Sequence, residues 1–376
     1  MQDKRAGIRT WIEIDKSALK HNYNVFRGLI APNVKLMAIA KSNAYGHGLI
    51  EYAETMAALG TDWLGVDSIT EALKLRSRGL KTPILILGHT LAERYQECSE
   101  NNLTIALSSF DQIKNIKPVP YNIAVHIKID TGMHRQGFQL EEVEKASQQI
   151  KKIQNIEVTG IFTHFAVAKN PAFPTDTNEQ IRQFEEACNI AKKYFGKGLI
   201  KHAAATAGTL LFPKSHYDMV RIGIGLFGLW TSKEAEAYLL GKVELKPALT
   251  WKTIVAEVKK VKAGERISYD LTEKLSIDSK IAILPIGYWN GFRRSLSSIG
   301  HVLIRGQRAK VLGRVTMDMI IVDVTNIANV KSGDEVTLIG RDGDLQITAD
   351  EIAILCETSN YEIVTQLNPL MRRIYD

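Results

Sequence analysis

The apolar residues from residue 16 to about residue 230 switch repeatedly between two spacings. Asp15 is of a residue type that favours helix N-caps. After it, apolar residues recur at helical intervals at Leu19, Tyr23 and Phe26. Short continuous apolar runs are typical of buried strands instead. The chain has eight such runs, at 34–40, 63–66, 83–87, 103–107, 123–129, 158–162, 199–203 and 219–222.

Helical patterns separate these runs. The clearest are at 49–59, at 69–78 before Gly79, at 140–153 and at 178–195. A strand followed by a helix, repeated eight times, is what a (β/α)₈ (TIM) barrel requires, whereas a doubly wound sheet usually needs fewer strands. The pattern therefore favours the barrel.

After Pro247 the pattern becomes β-rich. Alternating or β-branched runs at 251–261, 280–286, 301–304, 319–324 and 335–339 are separated by turn residues, and one late helix is predicted near 349–356. We therefore predict an α/β protein with a barrel domain over 11–240 and a mostly β domain over 241–376. The first residues, 1–15, are expected to join the β domain, with 10–15 as a strand.

Composition narrows the function classes. A length of 376 residues fits two domains, and 45% hydrophobic with 24% charged residues fits ordinary cores. The net charge of +7 is dispersed without a basic run, which argues against nucleic-acid binding. No apolar run reaches the length of a membrane span, and the three cysteines lack metal-site spacing, so we expect reduced, buried thiols in a cytoplasmic protein without a metal.

The most informative segment is AKSNAYGHG, residues 40–48, where the first barrel strand is predicted to end. Functional residues of such barrels gather at the carboxyl ends of the strands. Lys41 leaves an apolar strand there, so its amine is partly desolvated and suited to forming a Schiff base. On its own, a lysine at a strand end is more often a solvated surface charge.

Together with further motifs, this segment resembles the alanine racemase family. The resemblance covers nearly the whole chain and is carried by KIDTGMHRQGF (128–138), GIFTHFA (160–166), MVRIGIGLFGL (219–229), ISYD (267–270), PIGYWNGFRR (285–294), GRVTMD (313–318) and NYE (360–362). It implies a homodimeric isomerase that interconverts L-alanine and D-alanine with pyridoxal 5'-phosphate. Members of this family supply D-alanine for bacterial cell-wall synthesis.

The resemblance assigns the cofactor site to the barrel. Lys41 would carry the cofactor, and the loops after the seventh and eighth strands, with Thr206 and Gly223, would bind its phosphate. Arg221 would donate to the pyridine nitrogen without protonating it, because a guanidinium keeps its proton, and the ring would stay a weaker electron sink. The cofactor-binding set implied by the resemblance is Lys41, Tyr45, Leu87, His164, Thr206, Arg221, Gly223, Ile224 and Tyr361.

Further residues would support this set. Arg135 is implied to contact the ring phenolate and the substrate carboxylate, and Lys128, often carbamylated in the family, would lie beside it. His164 and His202 would join Arg221 and a tyrosine in one hydrogen-bond network, although a buried structural histidine is the ordinary interpretation of each ring.

Racemisation needs acid/base groups on opposite faces of a planar carbanion, since one group would return the proton to the same face. Lys41 would serve one face, and the resemblance assigns Tyr269 of the partner subunit to the other. A phenol ordinarily titrates near pH 10, so a tyrosine base needs cationic neighbours. The partner is also implied to supply Met317 and Asp318 for substrate binding, with Tyr288 and Arg294 as supporting residues at the site entrance.

Six positions in four segments depart from the family pattern. Ala205-Thr206 replaces the usual asparagine-serine pair, which predicts lower cofactor affinity. His134 and Asp270 replace glycines, and Trp289-Asn290 replaces an alanine-aspartate pair at the entrance. These changes bear on substrate access and rate rather than on the reaction itself.

Three other functions compete with this interpretation. A serine or broad-specificity racemase would use the same machinery. A barrel that carries pyridoxal phosphate without catalysis would lack the β domain with Tyr269. A fold-related decarboxylase would need a catalytic cysteine in the β half and a glycine-rich phosphate loop, and the sequence shows neither.

Overall fold

A computed structural model describes residues 5–116 and 122–376. Contacts divide the chain into two units, a barrel unit (residues 17–44 and 49–247) and a C-terminal unit (residues 5–16, 45–48 and 248–376). The predicted join of residues 1–15 to the β-rich part includes residues 1–4, which lie outside the described residues.

The barrel unit is built on eight parallel strands. Most residues of these strands are apolar and buried, as expected where helices cover a parallel sheet. The first strand pairs with both the second and the eighth, and a bridge between Ala205 and Arg221 nearly closes the ring. The strands are Lys35–Ile39, Trp63–Val66, Ile84–Ile86, Leu103–Leu107, Ile123–Lys128, Ile156–Phe162, Ile200–His202 and Met219–Ile222.

Helices connect the strands, and their ends follow from local sequence. In the helix Ile69–Ser77, Ser68 and Glu71 form a reciprocal capping box, and Gly79 ends the segment at a φ of 81°. The α-helices of this region are Lys16–Leu29, Leu49–Ala58, Ile69–Ser77, Tyr95–Glu100, Phe110–Asn115, Val143–Ile150, Thr175–Phe195, Thr206–Leu211 and Lys233–Tyr238. Short 3-10 turns cover Ala92–Arg94, Leu140–Glu142, Pro213–Ser215 and Ile224–Phe227.

The C-terminal unit is mostly β. A seven-stranded sheet runs in the order Gln307–Lys310, His301–Ile304, Glu335–Asp342, Leu249–Ile254, Thr10–Ile14 and Arg372–Tyr375, with Leu345–Ile347 paired to Glu335–Asp342. A three-stranded sheet contains Glu257–Val261, Ser279–Leu284 and Ile320–Asp323, and Arg266–Ile267 pairs with Glu273–Lys274. Helices Ala349–Leu355 and Asn360–Thr365 complete the unit, with 3-10 turns at Tyr288–Asn290 and Arg294–Leu296.

One expectation for this unit is wrong and another is incomplete. The run 251–261 is two strands in different sheets, because Val255 donates to Asp334 and Ala256 donates to Ile283, so the chain changes sheets between them. The late helix predicted near 349–356 is confirmed as Ala349–Leu355, and a second helix that was not predicted, Asn360–Thr365, follows it. The helix Asn360–Thr365 is only six residues long, too short for its apolar spacing to be recognised.

Residues 45–48 belong to the C-terminal unit although they follow the first barrel strand closely. Arg373 Nε donates to the carbonyl of Gly46 at 3.0 Å, and the Tyr375 hydroxyl donates to that of His47 at 3.0 Å. A Cβ on Gly46 would lie 1.9 Å from the carbonyl oxygen of Val364, and its φ is 84°. Only glycine fits this position.

Across the ranges 5–116 and 122–376, no helix is long and apolar enough to cross a membrane, and no cluster of histidine, cysteine and acidic residues could hold a metal ion. Cys98 is buried, whereas Cys188 and Cys356 are only half-buried. The expectation of buried thiols is therefore right for Cys98 alone.

Candidate active site

Lys41 is the first residue of a left-handed turn at the end of the first barrel strand. Ser42, Asn43 and Ala44 have φ of 51–56° and ψ of 43–51°, and Ala44 N donates to Ala40 O at 2.7 Å. Left-handed backbone costs L-residues about 1–2 kcal/mol each. Such strain persists only where surrounding contacts enforce it, and it concentrates at functional sites.

Glu71 helps to hold this turn in its left-handed conformation. One of its carboxylate oxygens accepts a 2.7 Å hydrogen bond from Ser42 N, and the other accepts from Asp67 N at 2.9 Å. Asn43 Oδ1 accepts from Leu49 N at 2.9 Å, where the next helix begins. The ends of the first and second strands are thereby joined, and the backbone that carries Lys41 is fixed. The Lys41 Nζ lies 3.9 Å from Asp67 Oδ1.

Four cations gather at this end of the barrel. Burial, followed by the charges of Arg135, Arg221 and Lys41, lowers the pKa of Lys128 to about 8. Lys128 Nζ donates to Gln136 at 2.9 Å. Burial and the same cations also lower the pKa of His164 to about 3, so its ring is neutral near pH 7. The concentration of positive charge suits a dianionic phosphate and a carboxylate.

Arg221 is buried and almost fully hydrogen-bonded. Its Nη1 donates to Nδ1 and to the carbonyl oxygen of His202, both at 2.9 Å. Its Nη2 donates to the carbonyls of Thr163 at 2.7 Å and Ala203 at 2.9 Å, and lies 3.3 Å from His164 Nδ1. Among the described residues, Nε alone of its donors lacks a partner. Burial lowers the pKa of Arg221 to about 9, so the guanidinium stays charged near neutrality.

Thr206 connects the loops after the seventh and eighth strands. Its Oγ1 accepts from Gly223 N at 3.2 Å and from Gly225 N at 3.4 Å, which leaves its own hydroxyl proton free for donation. A Cβ on Gly225 would lie 2.7 Å from Thr206 Cγ2, so the close approach requires glycine there. Ala205 offers no side-chain cap to the helix that begins at Thr206.

The sequence matches one family along its length. Residues 14–230 match the family model for the alanine racemase N-terminal domain, and residues 248–375 match that for the C-terminal domain. The alanine racemase of Leptospira interrogans is 39% identical over 390 residues, covering 100% of this chain and 99% of that protein. That of Halothermothrix orenii is 40% identical over 377 residues, covering 99% and 98%. The chain belongs to the alanine racemase family.

Solved members of the family share the fold. The alanine racemase of Bacillus anthracis, a crystal structure with bound L-Ala-P, superposes with a TM-score of 0.93 at 32% identity, covering 98% of this chain and 95% of that one. The alanine racemase of Clostridium difficile gives 0.91 at 33% identity, covering 98% and 96%. The family predicted from the motifs is confirmed, and so is the fold class of a barrel followed by a mostly β domain.

The remaining barrel residues of the predicted site lie near the same strand ends. Leu87 is half-buried directly after the third strand, and Ile224 is buried directly after Gly223. Arg135 is exposed on the loop after the fifth strand. His134 beside it has a φ of 53° and pairs with Asp130 at 3.5 Å.

The other predicted site residues belong to the C-terminal unit. Tyr45 and Tyr361 have ring centroids 6.1 Å apart there. Burial raises the pKa of Tyr45 to about 12 and also raises that of Tyr361, with a smaller contribution from Tyr45. Both phenols therefore keep their protons near neutrality, the form in which a tyrosine can donate a hydrogen bond.

Three loops of the C-terminal unit bring the remaining residues together. Tyr288 N donates to Thr316 O and Trp289 N to Met317 O, both at 3.0 Å. The Ser268 hydroxyl donates to Arg314 O at 2.8 Å, which ties the Tyr269 loop to the same segment. Side chains of all predicted partner-site residues are exposed: Tyr269, Tyr288, Arg294, Met317 and Asp318.

Sequence reasoning missed Glu71 and His126. Glu71 was visible as the third residue after Ser68, a capping-box signal, but its second contact with Ser42 depends on the fold. His126 lies two residues before Lys128 on one strand, so alternation alone places both on the same face. It hydrogen-bonds to His202 at 2.8 Å.

Proposed function

We propose that this chain interconverts L-alanine and D-alanine with pyridoxal 5'-phosphate, as a homodimer whose active sites are shared between subunits. The observation that carries the proposal is the position of Lys41 on its enforced turn among Lys128, Arg135 and Arg221, in a chain similar to alanine racemases throughout.

The described residues fit the cofactor. The remaining donor of Arg221, its Nε–H, matches a pyridine nitrogen, and a permanently charged guanidinium donates there without transferring a proton. Thr206 and the backbone at Gly223 and Ile224 would hold the phosphate, with the protonated phenols of Tyr45 and Tyr361 as further donors. When bound, the cofactor supplies an electron sink for a carbanion at the substrate Cα.

Two groups of this protein would move the proton. Lys41 Nζ would take or return it on one face, and the hydroxyl of Tyr269 of the partner subunit on the other. The exposed positions of Tyr269 and Met317, 70% and 55% accessible, suit residues that complete a neighbouring site. Two-fold symmetry would then build both sites at one interface.

Arg135 would hold the substrate carboxylate, with Met317 and Asp318 of the partner subunit near the substrate. The pKa of Lys128, lowered to about 8, leaves part of its amine neutral near pH 7. The neutral amine is the form that reacts with carbon dioxide, so carbamylation of Lys128 would place an anion beside Arg135.

The proposal is tested by borohydride reduction of the purified, cofactor-loaded protein. Reduction should fix the cofactor to the chain, and peptide mapping should place it on Lys41. Polarimetry with L-alanine should show racemisation before reduction and none afterwards. Failure of the chain to retain cofactor, or a label on another lysine, would contradict the assignment.

We predict a preference for alanine over serine. Tyr361 and Met317 are expected to leave little room beyond a methyl group, and one extra small group is worth about 10 to 200-fold in kcat/KM. Comparing kcat/KM for the two L-amino acids measures this directly. A serine preference would favour the broad-specificity alternative.

We also predict that Asp270→Ala lowers kcat by up to about fivefold, because an exposed ion pair contributes up to about 1 kcal/mol. Asp270 pairs with Arg314 at 2.6 Å and holds a φ of 58° directly after Tyr269. Losing the pair should loosen the tyrosine without changing cofactor binding. The matched control is Asp278→Ala, which removes an exposed pair with Lys262 elsewhere in this unit and should leave kcat unchanged. Equal effects of both variants would refute the positioning role.

A further inference from the structure

A chain of hydrogen bonds runs from Arg221 into the barrel interior and ends at His126. Arg221 Nη1 lies 2.9 Å from His202 Nδ1, and His202 Nε2 lies 2.8 Å from His126 Nδ1. Both histidine rings have no solvent exposure. The His202 ring is also stacked on Phe162, with centroids 4.8 Å apart and planes 3° apart.

The chemistry of arginine fixes the direction of this chain. A guanidinium only donates, so His202 Nδ1 must accept and carry no proton. The proton of a neutral His202 is then on Nε2, which donates to His126 Nδ1. His126 must accept in turn, and its own proton is placed on Nε2.

Both rings are held neutral by their surroundings. Burial lowers the pKa of His126 to about 3, with smaller contributions from Arg221 and Lys35. Burial also lowers the pKa of His202 far below its ordinary value, and the nearby Arg221 and His126 make smaller contributions in the same direction. One proton arrangement therefore holds throughout the neutral pH range.

Packing holds the His126 ring in a place where one of its two nitrogens has no hydrogen-bond partner among the described residues. Its strand register pairs His126 with Gly160, where a Cβ would lie 2.6 Å from His126 Nε2. The Trp63 ring lies on another side, with centroids 5.4 Å apart. Among the described residues Nε2 has no hydrogen-bond partner, and an unpaired buried donor is destabilising. We therefore expect the ring to have a role through its other nitrogen, Nδ1, which is hydrogen-bonded to His202.

We propose that His126 is a positioning residue for Arg221: by accepting from His202 it holds the tautomer whose Nδ1 lone pair anchors the guanidinium, and so aims Nε at the cofactor. The inference rests on the proposed function for its consequence in catalysis. The tautomers themselves are properties of the chain alone.

Nitrogen-15 NMR of protein labelled at its nine histidines tests the tautomers, since protonated and unprotonated ring nitrogens of a neutral imidazole have well-separated shifts. Signals are assigned by loss in His126→Asn and in His202→Asn. Protons on Nε2 of both His126 and His202, with and without cofactor, support the proposed direction of the hydrogen-bond chain. A proton on Nδ1 of either ring overturns it, even if the protein is an active racemase.

Variants at position 126 test the consequence. His126→Asn keeps an acceptor close to the place of Nδ1, whereas His126→Leu removes it. We expect kcat to fall about tenfold in the leucine variant, the effect of one lost buried hydrogen bond, and to recover largely in the asparagine variant. The pyridine shift of ¹⁵N-labelled cofactor should move only in the leucine variant.

The matched control is His216→Leu. His216 is also buried in the barrel unit, and its Nε2 donates one hydrogen bond, to Thr209 O at 2.9 Å. It should lower the melting temperature without moving the pyridine shift or kcat. Equal losses in both leucine variants, or no recovery with asparagine, would show that His126 is only part of the packing. A protein that binds no cofactor would refute the proposed function but leave the tautomer result readable.

Discussion

Lys41→Ala should lose racemase activity and the cofactor's visible absorbance together. The side chain is expected both to attach the cofactor and to move the proton on one face. Losing a general base alone costs up to about 10⁴-fold, so the combined loss should reach the detection limit of the assay. Activity is measured by polarimetry and attachment by absorbance before and after borohydride.

Lys35→Ala is the matched control. Lys35 is an exposed lysine at the opposite end of the same strand, so its removal should leave both signals intact. Retention of a reducible cofactor in Lys41→Ala would mean that another amine carries it. The assignment of this site would then be wrong.

Mixed dimers should recover activity that neither parent variant has. Lys41→Ala and Tyr269→Phe homodimers are each expected to be nearly inactive. If Tyr269 serves the partner's site, a dimer with one chain of each kind has one site with both defects and one with none. Random mixing of equal amounts makes half the dimers mixed, so roughly a quarter of the wild-type activity should return.

The control mixes Lys41→Ala with Arg221→Ala. Both residues belong to the barrel unit, so every site in such a mixed dimer keeps one defect and no activity should return. Mass spectrometry verifies that mixed dimers have formed. If the Lys41 and Tyr269 variants then show no recovery, the shared site is refuted.

The sequence determined the barrel because its signal is local. Each strand is buried on both faces and so reads as a continuous apolar run, and the run 103–107 appears unchanged as Leu103–Leu107. The order of strands around the barrel followed from the strand-helix repeat, since parallel neighbours need a crossover. Lys41 and Arg221 were predicted as site residues because the motifs that resemble the alanine racemase family follow such strands or lie within them.

Only the tertiary structure decided how the site is enforced. Propensity does not predict three successive left-handed residues at Ser42, Asn43 and Ala44, since serine and alanine disfavour that backbone, and the Ser42 contact with Glu71 helps to enforce it. The same holds for residues 45–48, which join the C-terminal unit through Arg373 and Tyr375, more than three hundred residues away. Alternation places His126 on the same face as Lys128, but its hydrogen bond with His202 depends on the fold, in which Gly160 of the intervening strand lies beside the His126 ring. Periodicity reports which face a residue occupies, whereas hydrogen bonds between distant segments depend on the completed fold.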